Sequence, residues 1–505
     1  MLFCSVFVII LCWSVSTVYG IEKEKSGIRI RVTRTGLDYA SALGSAILDD
    51  EIPNTPVPDV TATITRGPGR GHVILENVNI TLFKSPEFSY ILHPPKNLTF
   101  LTKGGFVKVE GDWLAWYKVL FNVSLSGKIN ASAGDIDIRM SAEVIRTPKG
   151  LPEVNVTSCS AEIGDLNLEI EGGVIQWIVN LFRHVIAWNL KHELAKQFCV
   201  STQGILMDLA NRELQTLPTE IPIYEQFYLH YALSKDPKIA KNFVQSQIGA
   251  EITWKGESAT PVAPIPLPNA TTRANASRML YIWGSDYVLN TFLYTAHRHK
   301  AIQFLISKNM DTKIAQFLKT TCMILCIGRM VPEIGKKYPN QSLDIHVHSS
   351  NPPLAEIQPA GAILNATAFA DIYLSPWNET GNLMFRTQIT FAGSLGIRMV
   401  RRRVVGNLSI DNFHIQLVES HIGKIPLKAL VIVEDAAKPV LQDLANKHLR
   451  RGLPVPTVKG AILVRPRVKL LERAIEIETD LSYKKYFPRR IMKNWKKVGD
   501  KLLNN

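Results

Sequence analysis

Cysteine is scarce in this chain of 505 residues, with six in all. Cys4 and Cys12 fall in the first twenty residues. Cys159, Cys199, Cys322 and Cys326 remain, an even number suited to an oxidising compartment. Cys322 and Cys326 stand four apart in CMILC. A thiol metal site would want further Cys or His nearby, and a redox pair would take C-x-x-C spacing. The pair is therefore a local disulfide or two buried cysteines. Also missing are a G-x-S-x-G elbow, a Walker loop, a dinucleotide fingerprint and H-E-x-x-H. The chain reads as a non-enzyme, with no catalytic residue, no metal and no cofactor assigned. Beyond the N-terminus no apolar run is long enough to cross a bilayer. No period of 20–50 residues occurs either, which excludes a solenoid.

Charge is absent from residues 1–20, MLFCSVFVIILCWSVSTVYG. The apolar core there, with Val18 and Gly20 before the cut, reads as a secretory signal cleaved after Gly20. An N-terminal anchor is the competing reading, but the run is short for a span and polar residues follow at once. Export agrees with eleven N-x-S/T sequons, at Asn79, Asn97, Asn122, Asn130, Asn155, Asn269, Asn275, Asn340, Asn365, Asn378 and Asn407. A secreted, extracellular glycoprotein is expected.

What the chain does contain is a long internal echo. LMDLANREL (206–214) recurs as LQDLANKHL (441–449), and GLDY (36–39) as GSDY (284–287). Offsets of 235 and 248 residues point to one duplication of about half the chain. Between the copies lies ESATPVAPIPLPNATTRANASR (257–278), where Pro261, Pro264, Pro266 and Pro268 favour an extended linker. The expected layout is a signal at 1–20, a first domain at 21–256, a linker at 257–278, a second domain at 279–485 and a basic tail at 486–505.

Local periodicity gives helix, long sheet, helix within the first half. Residues 35–48 open on Thr35 and Asp38 in a capping-box pattern, then place Leu37, Ala40, Leu43, Ile47 and Leu48 on one helical face. From Val60 to Val144 the period is two. Ile74, Val78, Ile80 and Leu82 share one expected face, and Ile136, Ile138, Met140, Ala142 and Val144 another. Residues 174–198 are helical again, with Trp177, Ile178, Leu181, Phe182, Val185, Ile186 and Trp188 covering a wide arc. So wide an arc needs two apolar surroundings: either sheet and neighbouring core, or core on one side and bound lipid on the other.

These pieces resemble the family of bactericidal/permeability-increasing protein, lipopolysaccharide-binding protein, phospholipid transfer protein and cholesteryl ester transfer protein. The resemblance runs through RVTRTGLDYAS (31–41), Trp177 to Phe182, RMLYIWGSDYVLNT (278–291), VPEIGKKYPNQSLDIHVHSSNPP (331–353), GKIPLKAL (423–430) and GLPVPT (452–457). It implies an α+β fold of two homologous antiparallel barrel-plus-helix domains in a boomerang, joined by a central sheet. It implies a Cys159–Cys199 disulfide. It also implies apolar pockets for phospholipid or other lipid, with walls from helices 35–48 and 174–190 and segments 285–294 and 430–449. The pocket candidates are thus Leu37, Ala40, Leu43, Ile47, Trp177, Ile178, Leu181, Phe182, Val185, Tyr287, Leu441 and Leu444. Asp344, His346 and His348 alternate along one probable strand, but that stretch sits inside a family motif not known for metal.

The chain departs from the antibacterial pattern in charge. Residues 21–256 carry 24 basic and 26 acidic groups. Asp49, Asp50, Glu51 and Asp112 stand where antibacterial members are basic, leaving Lys103, Lys108 and Lys118. Surface phosphate binding needs clustered cations. Residues 257–505 carry 34 basic and 18 acidic groups, so the net charge of +14 lives in the second half. In the tail, Arg489, Arg490, Lys493, Lys496 and Lys497 surround an apolar stripe with Trp495. That pattern suits either an interfacial helix on an anionic membrane or a solvated basic end. No nucleic-acid module is present. The expected function is carriage of phospholipid or similar cargo; the alternative is a lipopolysaccharide-binding innate-immune protein.

Overall fold

The computed structural model describes residues 26–54, 56–64, 69–118, 122–171, 176–269, 277–310, 312–378, 381, 383–400, 402–455 and 461–483. The expected signal, the basic tail and Asn275 lie outside the described residues, as do the side chains of Ile47, Trp177, Ile178, Leu181 and Phe182.

Twenty-five strands and seven α-helices are described. The helices are α1 (Arg34–Glu51), α2 (Gln176–Gln215), α3 (Asp286–Arg298), the short α4 (Thr312–Phe317), α5 (Ile327–Met330) and α6 (Pro332–Lys337), and α7 (Leu427–Leu449). Strands dominate because the chain alternates apolar and polar residues over long stretches. In Asp137–Arg146, for instance, Ile138, Met140 and Ala142 are buried while Asp137 and Arg139 face water.

The two halves meet in one six-stranded antiparallel sheet. Its order is Lys238–Ala240, Phe243–Ile248, Ile28–Thr33, Leu280–Ser285, Ala474–Tyr483, Ala461–Leu471. Three strands come from each half, and Ile28–Thr33 pairs with both Phe243–Ile248 and Leu280–Ser285. The Pro-rich connection lies along this sheet: the Arg29 guanidinium donates to the Pro268 carbonyl at 2.8 Å, and Thr33 Oγ1 donates to the Arg278 carbonyl at 2.7 Å.

The first arm holds a five-stranded and a four-stranded sheet, and the second arm one large sheet whose longest strands are Leu383–Val400 and Arg403–Ser420. None of these sheets closes among the described residues. The expected barrels are therefore open sheets. Closure would remove every edge; here long helices cover edges instead. Along α7, Glu434, Gln442 and Asn446 accept hydrogen bonds from the backbone N–H groups of Ile415, Ile410 and Leu408, on the outer strand Arg403–Ser420. In the first arm, α2 lies on the outer strand Pro152–Glu162, tied by Asn211 to Val154 and by the Cys159–Cys199 disulfide.

Two local expectations change. Helix α1 begins at Arg34, so Thr35 is a helical residue and not a cap. Asp38 instead accepts the Tyr90 hydroxyl at 2.7 Å. In Arg70–Lys84 the pairing register shifts after Glu76, beside Asn77 at φ 55°, and again between Ile80 and Leu82. Each extra residue turns the strand over. Val73 and Leu75 are buried before the first shift, Val78 and Ile80 between the two, and Leu82 is exposed after the second rather than sharing their face.

Candidate functional site: an apolar pocket in the second arm

The inner face of the second-arm sheet carries Ile345, Val347, Ile372, Phe385 and Ile415 by simple alternation. Helix α7 crosses this face. Its residues Ala429, Val433, Ala436, Ala437, Val440 and Leu441 recur at helical spacing and point toward the sheet. Three of those six are alanines. Small side chains hold the helix off the sheet without filling the gap, and a cavity of about 460 Å³ remains. Helices α4 and α5 and the loop before α5 close its third side with Phe317, Leu318, Met330, Ile324 and Leu325. The polar lining is sparse: Lys313 and Gln316, one turn apart on α4, and Thr387 on the sheet. Such a cavity has the size and lining of a small-molecule site. It contains no aligned nucleophile, acid or base, so it can hold an apolar molecule and orient one polar end.

The sequence candidates scatter around this pocket. Leu441 lines it, while Leu444 is half-buried on the same helix outside it. Tyr287 is 1% exposed in the core beside the central sheet. Burial and the adjacent Glu251 carboxylate push its phenol above the ordinary range. In the first arm Leu37 and Leu43 are half-buried and Ala40 is exposed. Val185 packs against the first-arm core, where Ile186, Leu190, Leu194 and Phe198 form the buried stripe of α2. Trp188, on the other side of α2, is exposed, its ring tilted against that of His192 with centroids 4.2 Å apart. Sequence reasoning missed the sheet residues and α4 to α6, although alternation in Leu343–Ser349 marks Ile345 and Val347 as sharing one face.

The opposite face of that sheet is polar. Asp344, His346 and His348 do share a face, but the group that assembles is His346, His348 and Asp371, with donor atoms all within 4.8 Å. Asp371 lies opposite His346 on the neighbouring strand. Its oxygens already accept from Arg386 Nε (2.5 Å) and Nη2 (2.9 Å) and lie 3.2 Å from His348 Nε2. Burial alone would raise the Asp371 carboxyl, but the Arg386 and His348 hydrogen bonds outweigh it and hold the group below the usual range. Asp344 is separately engaged by the Trp377 backbone N–H at 2.8 Å. Asp371 is thus held by Arg386 and His348, whereas the Asp344 Oδ1 is buried without a hydrogen-bond partner.

Surface features complete the picture. Ten of the eleven sequon asparagines are described; nine are exposed and Asn130 is half-buried. The structure forms both Cys159–Cys199 and Cys322–Cys326 disulfides. Lys103, Lys108 and Lys118 are exposed. Lys108 and Lys118 sit ten residues apart on the extended strand Phe106–Lys118, roughly 33 Å along it, and so form no single phosphate clamp. Asp49 is occupied as acceptor for the Ser85 N–H. No helix among the described residues is long and apolar enough to cross a membrane.

Duplication, a shared central sheet and an apolar pocket under a helix define a two-domain protein of the kind that encloses apolar molecules. The chain belongs to the LBP / BPI / CETP family: residues 36–209 match its N-terminal domain and residues 222–483 its C-terminal domain. It is 22% identical to bactericidal permeability-increasing protein of Sebastes schlegelii, over 90% of this chain and 95% of that protein. It is 23% identical to human lipopolysaccharide-binding protein (90% and 92% covered) and 23% identical to mouse phospholipid transfer protein (96% of each). The crystal structure of lipopolysaccharide binding protein superposes with a TM-score of 0.58 at 21% identity, covering 91% of this chain and all of that one. That match bears on the fold.

Proposed function

We propose that this protein is a secreted, non-enzymatic carrier that sequesters phospholipid or a related acyl lipid in apolar pockets. The observation that carries the reading is the cavity between α7 and the second-arm sheet, apolar but for Lys313, Gln316 and Thr387. Acyl chains leave water there, and ten buried methylenes contribute about 8 kcal/mol. The head group stays toward Lys313. Secretion is supported by two disulfides and by exposed sequons. Relatives whose names specify lipopolysaccharide and phospholipid share acyl chains as common chemistry. The dispersed lysines and net negative charge of the first arm favour phospholipid over lipopolysaccharide.

The test is mass spectrometry of lipids extracted from the purified secreted protein, before and after exposure to lipopolysaccharide. Stoichiometric phospholipid that lipopolysaccharide does not displace is expected. Ala437→Trp, which fills the cavity, should lower the co-purifying lipid about tenfold. Unchanged lipid in that variant would remove the second-arm pocket from the mechanism. Tight capture of lipopolysaccharide in place of phospholipid would establish the immune reading.

A further inference from the structure

A disulfide ring of five residues, Cys322 to Cys326, projects from the rim of the second-arm pocket. Cys326 is buried, whereas Met323 is 91%, Ile324 86% and Leu325 50% exposed. Three consecutive large apolar side chains in water are unusual on a soluble surface and mark a contact site. They are also held in place. The ring closes the loop covalently, and the Arg329 guanidinium donates to the Met323 carbonyl. Ile324 and Leu325 line the pocket while remaining exposed, so the finger joins the cavity to the outside. Across the pocket, Leu427 and Val431 of α7 are exposed beside the lining residues Ala429 and Leu430.

The surrounding charge is mostly positive. Residues 312–338 carry five basic groups (Lys313, Lys319, Arg329, Lys336, Lys337) against Glu333 alone. The approach to α7 adds Lys424 and Lys428. It passes next to α6, since a Cβ on Gly423 would meet Glu333 Cγ at 3.8 Å. An apolar tip flanked along the chain by cations is the chemistry of an interface with anionic phospholipid: the tip enters the acyl boundary and the cations meet phosphate.

We propose that the Met323-Ile324-Leu325 finger inserts into anionic phospholipid membranes and makes the second-arm pocket mouth a lipid portal. This rests on the carrier reading for its purpose but not for its test. The full-length protein is mixed with phosphatidylcholine vesicles with and without phosphatidylserine, and partition is measured by co-sedimentation. Preference for phosphatidylserine is expected. Met323→Asp should lower that partition about tenfold while co-purifying lipid stays constant, because Met323 does not line the cavity. Met323→Trp should show blue-shifted emission on vesicles, quenched by brominated acyl chains. Because Asn340 hydrogen-bonds Thr321 next to the ring, the series is repeated on Asn340→Gln, and the Met323 dependence should persist without that sequon.

Wild-type partition in Met323→Asp, or unshifted Met323→Trp emission on bound vesicles, overturns the proposal. So does a Met323→Asp effect confined to self-association in sedimentation, which would make the finger a contact between copies of this chain. Failure of the carrier reading alone would appear differently, as Met323-dependent vesicle binding by a protein that yields no extracted lipid.

Discussion

Asn211 and Asn446 occupy equivalent places in the two halves and make the same pair of bonds. Asn211 accepts from the Val154 N–H and donates to the Val154 carbonyl; Asn446 does both to Leu408. The repeated string is legible in the sequence, but its role is not. The second copy reads as candidate pocket wall; its Leu441 lines the pocket, while its Asn446 is an amide clamp on an outer strand. Asn446→Ala leaves a buried N–H and C=O without partners and should cost about 2–3 kcal/mol in equilibrium unfolding; a loss below about 0.5 kcal/mol would show the clamp to be dispensable. The other echo has diverged. A Cβ on Gly36 would lie 2.6 Å from the Met279 carbonyl oxygen, whereas one on Gly284 would meet only Ile475 side-chain atoms at 3.6 Å and beyond. Asp286 is buried against Arg473, while Asp38 sits exposed on Tyr90. At Asp371 the folded carboxyl lies below its ordinary value of 3.8. Its contribution is therefore fully present above the unfolded value and is lost as pH falls through the folded one. Second-arm stability should decline below about pH 4, and Asp371→Asn should flatten that acid limb in a urea-unfolding series across pH.

At the scale of elements, α2 shows how far periodicity reaches. The apolar pattern marks 174–198, yet the helix continues to Gln215 and takes in the repeated string. Its inner stripe of Ile186, Leu190, Leu194 and Phe198 explains why it sits on the first-arm core. The Cys159–Cys199 bridge then fixes it to the strand it covers, closing a separation of 40 residues. Removing both cysteines by Cys159→Ser/Cys199→Ser should lower unfolding stability by about 4 kcal/mol on a loop-entropy basis, measured by chemical denaturation of the secreted protein. An effect near zero would mean that edge clamps and core packing hold α2 unaided. The shifted strand Arg70–Lys84 marks the other limit. A period-two reading carries one face straight through, and two register shifts, one beside Asn77 and one between Ile80 and Leu82, break it.

For the molecule as a whole, the central sheet is where the halves become one structure. Ile28–Thr33, from the beginning of the described chain, is flanked by strands from both halves, and Leu280–Ser285 in turn pairs with Ala474–Tyr483. The charge division follows the same halves, with the excess of basic residues in the second. By itself the sequence determined the repeated strings, the family and the faces of most of its regular helices and strands. Each of these depends on matched strings or on residues a few positions apart. Only the tertiary structure decided that Cys322 bonds Cys326, that helices cover the edges of open sheets, and that alanines on α7 leave a cavity above Ile345 and Phe385. It alone exposes Met323, Ile324 and Leu325 at that cavity's rim. Those outcomes depend on contacts between residues far apart in the chain, and on how much space their side chains leave, which no local pattern encodes.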